Sequence, residues 1–245
     1  MRIVARVAAV AGWFLLYAPL HLLHKLTGRP SPWPRRFLRG ATRALGVRAR
    51  IHGEPAGRHT LLLPNHVSWL DILILGGATG CAFVSKDQLG HGFVHWLADQ
   101  NDTIYVRREH VKGAKDQAIA LARALERERP VAMFPEGTVG PGTALLPFRS
   151  TLLEAANYAA KDVVLRPVVI DYGAEAAAIA WYQEPVLDNI KRVLGRKGRL
   201  DVDVHLLDPL DRSGDRKQLA AEARAAIGSA LGFTTDRPSP IGAAR

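Results

Sequence analysis

Cysteine is nearly absent from this chain, and the residue patterns that hold metals or nucleotide phosphates are absent as well. Cys81 is the single cysteine among 245 residues, so no disulfide can form within the chain. This suits a reducing compartment. The nine histidines form no His-Glu-x-x-His sequence, and no Gly-Lys-Ser/Thr follows the glycine-containing turn at 137–142. We therefore predict no metal site and no P-loop.

Acidic residues are missing from residues 1–53, which we call the N-terminal arm. Ten of the 33 lysines and arginines lie there, and the first acid is Glu54. The other 23 basic residues are matched by 23 acidic ones, so the formal net charge of +10 belongs to the arm. Such a segment favours contact with either anionic lipid or nucleic acid.

An apolar run at residues 7–23 favours lipid over nucleic acid. It is shorter than the ~20 residues that span a bilayer, and Pro19 and His21 interrupt it. A cleaved signal peptide lacks support, because Tyr17-Ala18-Pro19 is a poor cleavage site. A spanning helix and a helix lying in one leaflet remain, and we favour the second. Three aromatic residues suit the membrane interface: Trp13, Tyr17 and Trp33.

The distribution of positive charge also predicts an orientation. Eight basic residues lie at 25–50 and two at 2–6, which places the bulk of the protein on the cytoplasmic face of the inner or plasma membrane. The expected partners are membrane lipids, and no nucleic acid is expected.

Beyond the arm, short β-like runs alternate with helical patterns. The fold class predicted is α/β, with a mixed, largely parallel sheet flanked by helices. Residues 54–235 form one catalytic-type domain, and residues 236–245 form a flexible tail. The predicted strands are 59–65, 81–86, 102–108, 130–138, 163–170 and 201–207, and the predicted helices are 111–125, 150–160 and 218–231.

Polar residues interrupt the apolar stretch LLLPNHVSWLDILIL at 61–75. If a strand ends at Asn65 and a helix begins shortly after it, His66 lies in the turn and Asp71 in the first helical turn. Asp71 would then accept the Nδ1 proton of His66 and leave Nε2 free as a base. Ser68 would cap the helix. A purely structural His–Asp pair is equally compatible with this pattern.

A second polar turn follows another predicted strand, in MFPEGTVG at 133–140. It carries Glu136 and Thr138, and Gly137 allows the backbone to approach a substrate closely. An ordinary Pro-Gly loop is the simpler alternative.

Together these stretches resemble a known family. NHVSWLD resembles the His-x4-Asp (HX4D) motif of the glycerolipid acyltransferases, of the 1-acylglycerol-3-phosphate acyltransferase type, and FPEGT is similar to their second signature block. Lys86 after CAFVS, the segment TIYVRR and the segment LRPVVI occur in the family's order and approximate spacing. The resemblance covers roughly residues 55–172.

The resemblance implies an activity in phospholipid biosynthesis. His66 would take the proton from a lysolipid hydroxyl as that oxygen attacks an acyl thioester, and Asp71 would hold the imidazole ring. No cofactor is implied, because acyl-CoA or acyl-carrier protein is the donor substrate. The implied substrate-binding residues are Asn65, Lys86, Arg107, Arg108, Glu136, Gly137, Thr138 and Arg149.

One position departs from the family's pattern and opens a second acceptor. Members acting on lysophosphatidate often continue FPEGT with arginine, whereas this chain has Val139. Lysophosphatidate is the leading expectation, and a lyso-ornithine (amino-acid) lipid is the alternative. Two other classes compete with acyl transfer: a non-catalytic basic module that binds membrane surfaces, and a thioesterase or lysophospholipase in which water replaces the lipid hydroxyl.

Overall fold

A computed structural model of the 245-residue chain describes residues 1–86, 92–106, 114–126, 129–159 and 162–233. The predicted tail at 236–245 therefore lies outside the described residues.

A seven-stranded sheet organises the described part of the chain. Its order is β1-β7-β6-β2-β5-β3-β4, and every neighbouring pair is parallel except the antiparallel pair β6 and β7. The predicted mixed, largely parallel sheet is confirmed. The strands are β1 Val47–His52, β2 Thr60–Pro64, β3 Ala82–Lys86, β4 Ile104–Val106, β5 Val131–Ala132, β6 Val164–Asp171 and β7 Leu200–Leu206.

Helices cover both faces of the sheet. They are α1 Arg2–Lys25, α2 Trp33–Ala44, α3 Leu70–Thr79, α4 Phe93–Gln100, α5 Ala114–Leu125, α6 Ala155–Tyr158, α7 Ala176–Ile179, α8 Val186–Gly195 and α9 Arg216–Ala230. The sequence patterns predicted α3, α5 and α9, and the predicted helix at 150–160 is a 3-10 turn, Thr151–Glu154, followed by α6. They missed α4, α7 and α8.

The central strand β2 explains why the core has two layers. All five of its residues are buried, and successive side chains point to opposite faces of a sheet. Leu62 packs with α3 and β7 on one face, whereas Leu61 and Leu63 pack with α5 and α9 on the other. Because β2 is buried on both faces, its carboxyl end is held rigidly in the sheet. The polar turn that follows β2 is therefore held at a fixed position as well.

The N-terminal arm differs from its predicted boundary. Residues 47–52 are not helical: they form β1, which pairs with β7 over its whole length. The branched and small residues Val47, Ala49 and Ile51 alternate with long polar ones, which is a strand pattern. The charge asymmetry at Glu54 therefore marks a change in composition rather than the start of the folded domain.

Helix α1 lies along the domain and packs against α2 and α8. The ring of Trp13 approaches α2 so closely that a Cβ atom at Gly40 would be 2.7 Å from it. Farther along, Phe14 makes edge contacts with Phe37 of α2 and with Phe93 and Trp96 of α4. One face of α1 is therefore covered by protein.

Two arginines join the arm to the rest of the domain in a reciprocal way. The guanidinium of Arg6 in α1 donates to the carbonyls of Val193 and Leu194 at the end of α8, at 3.2 and 2.9 Å. Conversely, Arg196 after α8 donates to the carbonyls of Leu45 and Gly46 at the end of α2, at 3.0 and 2.8 Å. Each arginine satisfies carbonyls that a helix leaves without intrahelical partners.

Candidate active site

The turn after β2 is fixed by a side chain that extends the sheet. The side chain of Asn65 accepts from Ile170 N–H at 2.7 Å and donates to Ile170 C=O at 3.1 Å. This amide therefore bonds to β6 as a backbone group would, just past the last paired residue of β2. Asn65 is buried and holds the start of the turn.

His66 and Asp71 meet as the sequence predicted. His66 Nδ1 lies 2.8 Å from Asp71 Oδ2, and the carboxylate is completely buried. Helix α3 begins at Leu70, so His66 precedes it and Asp71 lies in its first turn. Because an ionised carboxylate only accepts, Nδ1 is assigned as the donor, which leaves Nε2 without a proton.

The same carboxylate organises the backbone of the turn. Asp71 Oδ2 also accepts the N–H groups of Val67 and Ser68, at 2.7 and 2.9 Å. The predicted Ser68 cap is wrong in detail, since Trp69 precedes the helix and Ser68 Oγ accepts only a 3.4 Å bond from Leu70 N–H. Asp71 reaches back from the first turn of the helix to two N–H groups that precede it, as the acidic residue of a capping box does.

The second signature turn packs directly on the first. The ring of Phe134 stacks on the His66 imidazole with centroids 3.9 Å apart. Glu136 accepts His66 N–H at 2.7 Å with one oxygen and Leu146 N–H at 2.8 Å with the other. Gly140 N–H donates to His66 C=O at 2.6 Å. The two turns are thus joined by two hydrogen bonds to the backbone of His66 and by the stacking of Phe134 on its ring.

Glu136 carries an unusual protonation equilibrium as a result. Its side chain is 3% exposed, and burial raises its pKa to about 7, while the two backbone N–H groups oppose that rise. Nearby Asp71 raises the pKa further and Arg224 lowers it.

Tyr172, which the sequence did not single out, completes the pair. Its hydroxyl donates to Asp71 Oδ1 at 2.5 Å, and the residue is 2% exposed. Burial and the neighbouring carboxylate raise the pKa of Tyr172 well above its ordinary value, so the phenol keeps its proton. Its position two residues past LRPVVI, at the edge where the other strands end, was the available sequence signal.

A cavity of about 1600 Å³ opens in front of His66. Its walls come from α1, α2, α3, α4 and the segment 181–186, and they are mainly apolar and aromatic. The principal large lining residues are Phe14, Tyr17, Trp33, Phe37, Trp69, Leu73, Phe83, Trp96, Phe134 and Trp181. Trp181, another residue that the sequence did not indicate, is joined to the turn that carries His66, because its backbone N–H donates to Val67 C=O at 2.9 Å.

The predicted substrate residues divide into three groups. Gly137, Thr138 and Arg149 line the cavity, as does Val139. Asn65 and Glu136 are absent from its wall and are engaged with backbone groups, so their predicted substrate contacts stay predictions. Lys86 ends β3, with no description of its side chain, and Arg107 and Arg108 lie outside the described residues.

Polar residues also line the cavity. Besides Arg149, they include Ser85, Gln117, Thr138, Thr151 and Arg216. Arg216, at the start of α9, also pairs with Glu154 at 3.6 Å. No group of three or more His, Cys, Asp or Glu side chains suited to a metal occurs within the described ranges.

These features define a class of enzyme: an α/β protein with a buried carboxylate behind a histidine that faces a long apolar cavity. The family model named Acyltransferase matches residues 48–171, which is half of the chain. The chain belongs to this acyltransferase family. The alternative of a non-catalytic membrane-surface module is therefore set aside.

Curated relatives carry two kinds of name. Lyso-ornithine lipid O-acyltransferase of Rhodobacter capsulatus is 32% identical over 94% of this chain and 90% of its own length. The protein of the same name from Pseudomonas aeruginosa is 35% identical over 80% of this chain and 76% of its own length. The 1-acyl-sn-glycerol-3-phosphate acyltransferase of Neisseria meningitidis is 30% identical over 60% of this chain and 54% of its own length.

A solved structure shares the fold. The crystal structure of the 1-acyl-sn-glycerophosphate acyltransferase of Thermotoga maritima superposes with a TM-score of 0.64 at 19% identity, and covers 98% of this chain and 100% of its own. The similarity extends over the N-terminal helices as well as the sheet.

Proposed function

We propose that this acyltransferase moves a fatty acyl group from a thioester to the hydroxyl of lyso-ornithine lipid, with His66 as general base. The observation that carries the proposal is the His66–Asp71 pair at the edge of an apolar cavity large enough for acyl chains. A positioned base of this kind contributes about 10²–10⁴-fold in rate.

The reaction balances without a covalent enzyme intermediate. The acceptor oxygen attacks the thioester carbonyl while its proton passes to Nε2 of His66. As the tetrahedral intermediate collapses, the carbon–sulfur bond breaks and the proton passes to the thiolate, which leaves an ester and a free thiol. Asp71 stabilises the imidazolium between these steps. Cys81 is buried, and burial raises its pKa to about 11, which disfavours it as a nucleophile.

The choice of acceptor rests on the wall beside Thr138. Val139 lines the cavity where family members acting on lysophosphatidate often have arginine. An amino-acid headgroup carries a single carboxylate rather than a phosphate, and Arg149 on the same wall can bind it. The relatives that cover most of this chain are named for lyso-ornithine lipid, which agrees with this choice.

Lysophosphatidate is the second candidate acceptor. Arg149 and Arg216 both line the cavity, and two arginines can replace the one missing after Thr138 in binding a phosphate. The chemistry at His66 is the same for both acceptors. The thioester donor, acyl-CoA or acyl-carrier protein, is proposed with them.

Membrane association of this kind of enzyme is suggested by α1 and by the lipid substrates of the relatives. Helix α1 is long and apolar enough to cross a bilayer, but one face packs on the domain. Its opposite face exposes apolar residues: Val4, Val7, Leu15, Leu16, Leu22 and Leu23. We therefore propose that α1 lies in one leaflet, on the cytoplasmic side, with the cavity beside the acyl chains.

A substrate panel tests the function. Purified full-length protein in detergent micelles is given labelled palmitoyl-CoA or palmitoyl-acyl-carrier protein, with lyso-ornithine lipid, lysophosphatidate or no acceptor. We expect transfer to lyso-ornithine lipid at the highest kcat/KM, and a loss of about 10²–10⁴-fold in His66→Ala. His205→Ala, on β7 outside the cavity wall, is the matched control and should keep the parent rate.

Each other outcome removes a defined part of the proposal. Preference for lysophosphatidate reverses the order of the two acceptors. Thioester hydrolysis without transfer to either lipid indicates a thioesterase. A His66→Ala variant that transfers at the parent rate eliminates the proposed base.

A further inference from the structure

We propose that Tyr172 is a positioning residue of this acyltransferase: its hydroxyl holds the Asp71 carboxylate in the orientation that makes His66 a base. The inference rests on the proposed role of His66. With Tyr172 included, the predicted His66–Asp71 pair becomes a hydrogen-bonded chain of three side chains, His66–Asp71–Tyr172.

The hydrogen bonds around Asp71 are divided unevenly between its two oxygens. Oδ2 accepts from His66 Nδ1 and from the N–H groups of Val67 and Ser68, whereas Oδ1 accepts from Tyr172. A carboxylate can rotate about its Cβ–Cγ bond and exchange its oxygens. A donor dedicated to Oδ1 opposes that rotation and keeps Oδ2 directed at the imidazole.

The phenol itself is well fixed, because its backbone belongs to the element that fixes His66. Tyr172 directly follows β6, whose Ile170 exchanges two hydrogen bonds with Asn65. His66 and Tyr172, the two ends of this chain of side chains, are therefore attached to the sheet at the same place, where Asn65 bonds to Ile170. The hydroxyl cannot move without disturbing the turn that carries His66.

Other charged or titratable groups also surround the carboxylate. They are His66 on the β2–α3 turn, Glu136 on the second turn, Asp171 at the end of β6 and Arg224 on α9. Removing the phenolic hydroxyl leaves all of these groups in place and frees only the rotation of the Asp71 carboxylate, so the His66 Nδ1–Asp71 Oδ2 bond should become less fixed.

The first test measures His66 directly and needs no substrate. In protein with ¹⁵N-labelled histidine, we expect the Nδ1–H resonance of His66 to show the hydrogen bond to Asp71, and Tyr172→Phe to weaken and broaden that resonance. The same change should lower kcat and leave KM for both substrates near the parent value. Tyr105→Phe is the matched control, because the Tyr105 hydroxyl donates to Asp99 Oδ1 at 2.7 Å on an exposed surface, and it should change neither the resonance nor kcat.

The second test asks whether Tyr172 acts through Asp71. With Asp71 intact, Tyr172→Phe should lower kcat about tenfold, since the carboxylate no longer holds the imidazole of His66 in one orientation. In an Asp71→Asn background the same change should have less than about twofold effect, because coupled residues are not additive.

The outcomes separate this inference from the proposed function. An unchanged His66 Nδ1–H resonance and an unchanged kcat in Tyr172→Phe overturn it, even if the variant is less stable. Equal rate losses in the two backgrounds also overturn it. A weakened His66 Nδ1–H resonance in a protein that acylates neither lipid keeps the inference about Tyr172 and refutes the acceptor assignment.

Discussion

The two sides of the His66 ring differ in how they are built. On the Asp71 side, the carboxylates of Asp71 and Glu136 are buried, and each of their oxygens has a hydrogen-bond donor from backbone, His66 or Tyr172. On the other side lies a wide cavity with mainly apolar walls, contributed by helices that are distant in sequence. The first side fixes atoms, whereas the second provides volume.

This difference indicates where chemistry and substrate choice are encoded. Hydrogen bonds require particular atoms at particular places, so the chemistry depends on a few short motifs at the carboxyl ends of strands. An apolar wall requires only shape and surface, and many side chains can provide it. Mutations on the two sides should therefore have effects of different size and kind.

After the loss of His66 itself, Glu136→Gln should have the largest effect, because it breaks one of the links between the two turns. A glutamine amide can accept one backbone N–H but directs its own N–H₂ at the other, which leaves a buried donor unpaired at a cost of about 1–3 kcal/mol. We expect acyl transfer to fall about 100-fold with an unchanged KM for the donor. A variant with parent kcat would show that the link does not position His66.

The same residue predicts how stability depends on pH. Its pKa is about 7 in the folded protein against an ordinary 4.5, so the folded state binds more protons than the unfolded state between these values. Stability should therefore decrease as pH rises from about 4.5 to about 7, by about 3 kcal/mol at 1.36 kcal/mol per unit. Denaturation of Glu136→Gln in parallel should lack this component, and equal pH slopes in both proteins would contradict the assignment.

A smaller effect is expected on the apolar side. Ala18 of α1 lines the cavity, and Ala18→Trp should fill part of it with an indole ring. Each acyl methylene that the indole ring keeps out of the cavity loses about 0.8 kcal/mol of burial free energy. For a long-chain donor with two such methylenes, kcat/KM should fall about tenfold. Donors of shorter chain should keep the parent value. A uniform loss across chain lengths would mean that the acyl chain does not reach Ala18.

The smallest effect is expected where the wall is polar and open to solvent. Arg149 is exposed, so Arg149→Ala should raise KM for the acceptor about fivefold, less than loss of a buried charged partner would produce. The donor KM should stay constant. Arg199→Ala, which removes an exposed pairing with Asp201 on β7, is the control and should leave both constants unchanged.

Sequence reasoning reached the fixed side better than the open side. The spacing of His66 and Asp71 predicted their contact because a strand end, a short turn and a first helical turn leave few geometries. The role of Tyr172 was not predicted, because it depends on which strand lies beside β2. Strand order is not a local property of the sequence. Helix α4 has only eight residues and shows little apolar periodicity. Helix α8 does show one, with Val186, Ile190, Val193 and Leu194 on one face, and that signal was overlooked.

The arm shows what composition alone could not predict. Its charge and apolar run predicted a membrane-associated helical segment over residues 1–53, whereas residues 47–52 form the edge strand β1 and α1 also lines the cavity. The composition of a segment indicates the environment of its exposed side. The opposite side of the same segment can still pack against the core of the domain.

The paired arginines Arg6 and Arg196 have a practical consequence for anyone preparing this enzyme. A shortened version without α1, made to avoid detergent, would lack Arg6 and leave the carbonyls at the end of α8 without their partner. It would also lack one wall of the cavity. A better way to raise solubility is to replace outward-facing leucines of α1 with polar residues. This leaves the hydrogen bonds of Arg6 and Arg196 in place.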